Sequence, residues 1–76
     1  MDAEAIRQLI LQGLPNAQVK VSGDDGVHFE ATVISEEFDQ LSKLRRHRLV
    51  YATLGAKMGH EIHALSLRTL TPEEGK

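Results

Sequence analysis

The sequence predicts one small α+β domain in the order α-β-β-α-α-β, with a three-stranded mixed sheet covered by helices on one face. Three observations lead there: a capped amphipathic start at Asp2, a switch to period-two alternation from Gln18, and a helical connection that precedes a last alternating run. At 76 residues the chain makes a single domain, residues 1–76. Burial of roughly 60% of the unfolded surface at this size leaves little material for a deep cleft.

Asp2 followed by Ala3, Ile6, Leu9 and Ile10 reads as an N-capped amphipathic helix, stopped at Gly13 with Pro15 just beyond. Val19 and Val21 then alternate with Gln18 and Lys20. Ser22-Gly23-Asp24-Asp25-Gly26 supplies turn chemistry, and Val27, Phe29, Ala31 and Val33 resume the alternation, giving a β-hairpin with one buried face. Ser35-Glu36-Glu37-Phe38 forms a cap and a short helical turn; Ser42 caps a longer helix that ends between Gly55 and Gly59. The apolar arc of that helix is expected to hold Leu44, Val50, Tyr51, Leu54 and Met58, together with His47 as a hydrogen-bonded, core-facing histidine. Residues Ile62 to Leu70 read as a third strand with Leu65 and Leu67 on one face. Thr71-Pro72-Glu73-Glu74 has the form of a helix start that amounts to a stub.

Apolar residues at 41% and charged residues at 26% exclude wholesale disorder, and no apolar run is long enough to cross a bilayer. Nothing after Met1 has the basic-then-apolar form of a secretory leader, so a cytoplasmic setting is expected. Cysteine is absent, which excludes disulfides, a thiol nucleophile and any metal or cluster site built from the chain's own thiolates. There is no glycine-rich nucleotide loop and no serine nucleophile elbow, so an enzyme is not expected. His60-Glu61-Ile62-His63 is one residue short of a zinc-protease motif and lies in a turn rather than on a helix.

About 28 residues containing helices join the second and third strands, the connection expected of two parallel strands with a right-handed crossover. Parallel strands begin at the same end of a sheet, so His28 and His63, each at a strand start, come near each other if those strands are neighbours. Parity complicates the pair: His28 falls on the face opposite Phe29, whereas His63 shares parity with Leu65 and Leu67. The two imidazoles share a site only if His63 lies beyond the pleated part of its strand. Periodicity alone favours His63 capping the sheet edge and His28 as a solvated loop residue over a ligand pair, because two histidines without other ligands are weak evidence for metal.

Net charge is −2 but unevenly placed. Residues 41–60 carry Lys43, Arg45, Arg46, Arg48 and Lys57 with no acid, so this segment is at +5 and the remainder at −7. Such a segment attracts phosphate or an acidic protein, yet on the helical wheel the bases flank both sides of the apolar arc, as solvated stems covering core edges do. Stacking aromatics and a GXXG loop are both missing, which weakens a nucleic-acid reading.

Three stretches, taken together and in order, resemble the BolA family, and within it the IbaG-like bacterial branch: Gly26-Val27-His28-Phe29-Glu30-Ala31, Arg46-His47-Arg48-Leu49-Val50-Tyr51, and Ile62-His63-Ala64-Leu65-Ser66-Leu67 leading into Thr71-Pro72. The resemblance covers nearly the whole chain and implies a KH-like fold. It implies that His63 matches the family's characteristic C-terminal histidine and His28 the histidine or cysteine position of the hairpin loop. Both would then serve as ligands of a [2Fe–2S] cluster shared with a monothiol glutaredoxin and glutathione, with no cofactor held tightly by this chain alone. Imidazole in place of thiolate raises a cluster's potential and adds a protonation-sensitive ligand.

The resemblance thus implies a non-enzymatic adaptor in iron–sulfur trafficking or iron and stress regulation, monomeric alone and heterodimeric with its partner. The alternative is a KH-like transcriptional regulator binding DNA through Lys43, Arg45, Arg46, Arg48 and Lys57. Weak self-pairing through an exposed sheet edge is a third reading.

Overall fold

In the computed structural model, which describes residues 1–76, α1 (Ala3–Gly13) leads into a hairpin of β1 (Gln18–Ser22) and β2 (His28–Ile34). A 3₁₀ turn at Glu36–Phe38, the helix α2 (Lys43–Leu54) and a second 3₁₀ turn at Gly55–Lys57 carry the chain to β3 (Ala64–Leu70). The strand order is β1-β2-β3, with β1 and β2 antiparallel and β2 and β3 parallel. The predicted mixed sheet and crossover are therefore present.

Side-chain caps start α1, the first 3₁₀ turn and α2, whereas the turn at Gly55–Lys57 continues from α2 without one. Asp2 Oδ1 accepts from the Ala5 amide at 2.8 Å, Ser35 Oγ from Glu37 at 3.1 Å and Ser42 Oγ from Arg45 at 3.2 Å, so each cap satisfies an amide that has no intrahelical partner. Ile6 and Ile10 of α1 and Val50 and Leu54 of α2 cover one sheet face, meeting Phe29, Ala31 and Val33 of β2. At Gly13 α1 approaches α2 so closely that a Cβ there would overlap Thr53 Cγ2. The other face, carrying Gln18, Lys20 and Ser22, His28 and Glu30, and Ser66 and Arg68, stands exposed to solvent.

Three expectations are corrected. Leu44 and Tyr51 are 60% and 37% exposed rather than part of the core arc. The buried line of α2 runs through Val50 and Leu54, and at about 100° per residue both other side chains fall well to one side of it. Half-buried His47 is not hydrogen-bonded at Nε2: that atom is buried without a partner, because no polar group of the surrounding elements reaches it. The third strand begins at Ala64, not Ile62, because the chain doubles back at Gly59 (φ 85°), whose amide donates to Ile62 O at 2.8 Å. Ile62 bridges to Met58 and buries its side chain completely.

After β3 the chain makes one turn. Glu74 N donates to Thr71 Oγ1 at 3.2 Å and Thr71 N donates to Glu74 Oε1 at 2.9 Å, a reciprocal capping box. Arg46 reaches across from α2 and clamps that turn, donating to both Glu74 carboxylate oxygens at 2.6 and 3.2 Å, to Leu41 O at 2.9 Å and to Thr69 O at 3.3 Å. The guanidinium hydrogen bond, followed by the Thr71 amide, holds the Glu74 carboxyl down to about 2.

Candidate functional site

The two histidines are brought to one end of the sheet by the register of the parallel pair. His28 is the first residue of β2 and lies opposite Ala64, the first residue of β3, so His63 is one position ahead of His28's partner. His63 stands outside the pleated strand, which is the condition the alternation pattern set for the two to share a site. Both histidines are exposed.

The loop before β2 is built around Asp25. Its Oδ1 accepts from the amides of Val27 and His28, each at 2.8 Å, and its Oδ2 lies 2.7 Å from His28 Nδ1. These three contacts, the imidazole first and the two amides after it, hold the Asp25 carboxyl far below the usual carboxylate range. An ionised carboxylate only accepts hydrogen bonds, so Nδ1 carries a proton, and in the neutral ring Nε2 then keeps a free lone pair. Gly23 is required beside it: a Cβ there would sit 2.6 Å from both His28 O and Phe29 Cδ1. Asp25 was legible in the sequence only as a turn former. The available signal was an Asp two and three residues ahead of the amides that an Asx-type turn captures.

An open groove bordered by Ser22, Asp25, His28, Glu30, Ala64 and Ser66 runs from this loop over the exposed sheet face. No three His, Cys, Asp or Glu side chains converge as a metal site would need. His28 borders this groove, with the Asp25 carboxylate against its Nδ1, and His63 follows at the head of the neighbouring strand.

The five bases do not form one surface. Lys43, Arg45 and Arg48 are exposed on α2 beside the exposed Leu44 and Leu49. Arg46 is turned inward, its side chain only 13% exposed against Glu74, and half-buried Lys57 lies 3.5 Å from Glu61.

The family model for BolA-like protein matches residues 13–74, a span that includes both histidines, β1 to β3 and α2. The chain belongs to the BolA family. Its similarity to the acid stress protein IbaG of Escherichia coli is 33% identity over 75 residues, covering 97% of this chain and 88% of that one. To the DNA-binding transcriptional regulator BolA of Haemophilus influenzae it is 41% identical over 49 residues, covering 64% of this chain and 48% of that one. The chain spans about half the length of the first curated BolA relatives it matches. Among solved structures, a BolA protein homologue from Coxiella burnetii superposes with a TM-score of 0.88 at 46% identity, covering 99% of this chain and 96% of that one. The BolA relatives named here are a stress protein and a regulator, and no helix of the chain is long and apolar enough to cross a membrane.

Proposed function

We propose that this BolA chain is a non-enzymatic adaptor that pairs with a monothiol glutaredoxin and lends imidazole to a [2Fe–2S] cluster held jointly with glutathione. The observation that carries this reading is the β2–β3 register, which puts two exposed histidines at the head of one parallel strand pair while supplying no third donor. A donor set of two neutral imidazoles is too small to hold a metal group alone, and it suits half of a site whose thiolates come from elsewhere. His63 and His28 are the ligands in this reading; Ile62, fully buried, fixes the backbone from which His63 projects.

The test mixes the protein with a monothiol glutaredoxin, glutathione, iron and sulfide, and compares visible absorption and circular dichroism for wild type, His63→Ala and His28→Ala. A heterodimer spectrum that His63→Ala removes is expected. An unchanged glutaredoxin homodimer spectrum in the presence of wild-type protein overturns the reading. A second reading, nucleic-acid binding, is favoured by Lys43, Arg45 and Arg48, exposed and without carboxylate partners on α2. It requires DNA binding that weakens steeply with salt and is lost in Arg45→Ala/Arg48→Ala.

A further inference from the structure

We propose that Asp25 is a positioning residue that locks the His28 imidazole with its proton on Nδ1, so that Nε2 is presented as a bare ligand to the shared metal site. This assignment rests on the cluster-adaptor reading above and extends it to a residue that touches no metal.

The geometry carries it in two steps. Asp25 uses one carboxylate oxygen to fix the backbone of Val27 and His28 and the other to meet His28 Nδ1 at 2.7 Å, so a single side chain sets both where the imidazole starts and how it is turned. A carboxylate hydrogen-bonded to the far nitrogen of a metal-bound histidine fixes the tautomer and ring orientation and raises the ligand's basicity. Left to itself, an exposed neutral histidine favours the proton on Nε2, the nitrogen that has to be free here. The Asp25 contact reverses that preference before any partner arrives, and so lowers the reorganisation needed when the site assembles.

Asp25→Asn separates this role from simple loop support. The amide oxygen still accepts from Val27 and His28, while the amide nitrogen that replaces the second oxygen is a donor and needs a lone pair on Nδ1. The proton then moves to Nε2, and the ligand atom is blocked in a loop that keeps its turn.

Long-range proton–nitrogen correlation on the free protein at about pH 8.5, where an imidazole is neutral, reads the tautomer directly, with His28→Ala assigning the signal. Wild type is expected to show Nδ1–H at His28 and Asp25→Asn to show Nε2–H. Wild type with Nε2–H overturns the proposal without any variant being needed. In the glutaredoxin complex, Asp25→Asn is expected to weaken formation of the heterodimer spectrum about tenfold, the lower end for such carboxylate partners because His28 and Asp25 side chains are 75% and 50% exposed. If His63→Ala abolishes the spectrum and Asp25→Asn leaves it intact, only the assignment of Asp25 falls. If His63→Ala and His28→Ala both leave it intact, the adaptor reading falls and takes this assignment with it.

Discussion

Ile62→Ala is the perturbation that most directly joins the core to the site. Ile62 is 0% exposed, immediately precedes His63, and is held by a bridge to Met58 and by the Gly59 amide. Truncation removes three carbons, worth about 2.4 kcal/mol at roughly 0.8 kcal/mol each. The cavity left behind brings the expected cost to about 3 kcal/mol, inside the usual range for such changes. A chain of 76 residues has a total stability of about 4–11 kcal/mol by the common per-residue scale, so this one change removes a large fraction of it. Urea unfolding followed by circular dichroism should show a lower midpoint with an unchanged slope, and Ile62→Val should lose only about 1 kcal/mol. Heterodimer spectra should weaken in Ile62→Ala although both histidines remain, and recover in Ile62→Val. A loss below about 1 kcal/mol for the alanine variant would refute the claim that Ile62 anchors this end of the sheet, and full cluster formation in that variant would refute its role in placing His63.

Glu74→Gln should flatten the acid limb of stability. A carboxyl lowered from 4.5 to about 2 stabilises the fold above its ordinary range and loses that contribution as pH falls through the folded value. The urea-midpoint gap between wild type and variant should accordingly be wide at pH 6 and close towards pH 2; a constant gap refutes it. Thr71→Ala, which deletes the hydroxyl of the capping box, should cost about 1 kcal/mol by the same assay, and no measurable change would show that the turn contributes nothing. Gly13→Ala should destabilise, against the helix preference for alanine, because of the overlap with Thr53 Cγ2. Adding Thr53→Ser, which lacks that methyl, should recover part of the loss; strict additivity in the double-mutant cycle refutes the contact.

The sequence declared those parts of the fold in which one residue acts through its own backbone. Asp2, Ser35 and Ser42 were readable as caps because a short oxygen-bearing side chain at a period change has few other uses, and the structure shows all three accepting helix amides. The α2 arc was misjudged because two helix neighbours, α1 and β3, together decide which stripe is covered, and a wheel drawn for one helix contains neither. His47 shows the same limit: its position near the buried line was readable, and the absence of any partner for Nε2 depends on elements far away in sequence. His28 and His63 could be placed at strand starts, yet their proximity depends on the register, which only packing of the alternate faces sets. Arg46 looked like one of five equivalent bases until Glu74, 28 positions on, claimed it.

The parallel pair gives the domain a direction. At the tail of β2 and β3, Ser35 N bonds Leu70 O, and the Arg46 clamp ties the turn after β3 to α2. At the head, the strands open into the Asp25 loop and the Gly59 turn, whose hydrogen bonds run between residues near in sequence, with Ile62 as the buried anchor. Local opening is cheapest where tertiary bonds are fewest. The bonds that shape each histidine-bearing loop close within that loop, so a local opening at the head need not break the strand pairing behind it.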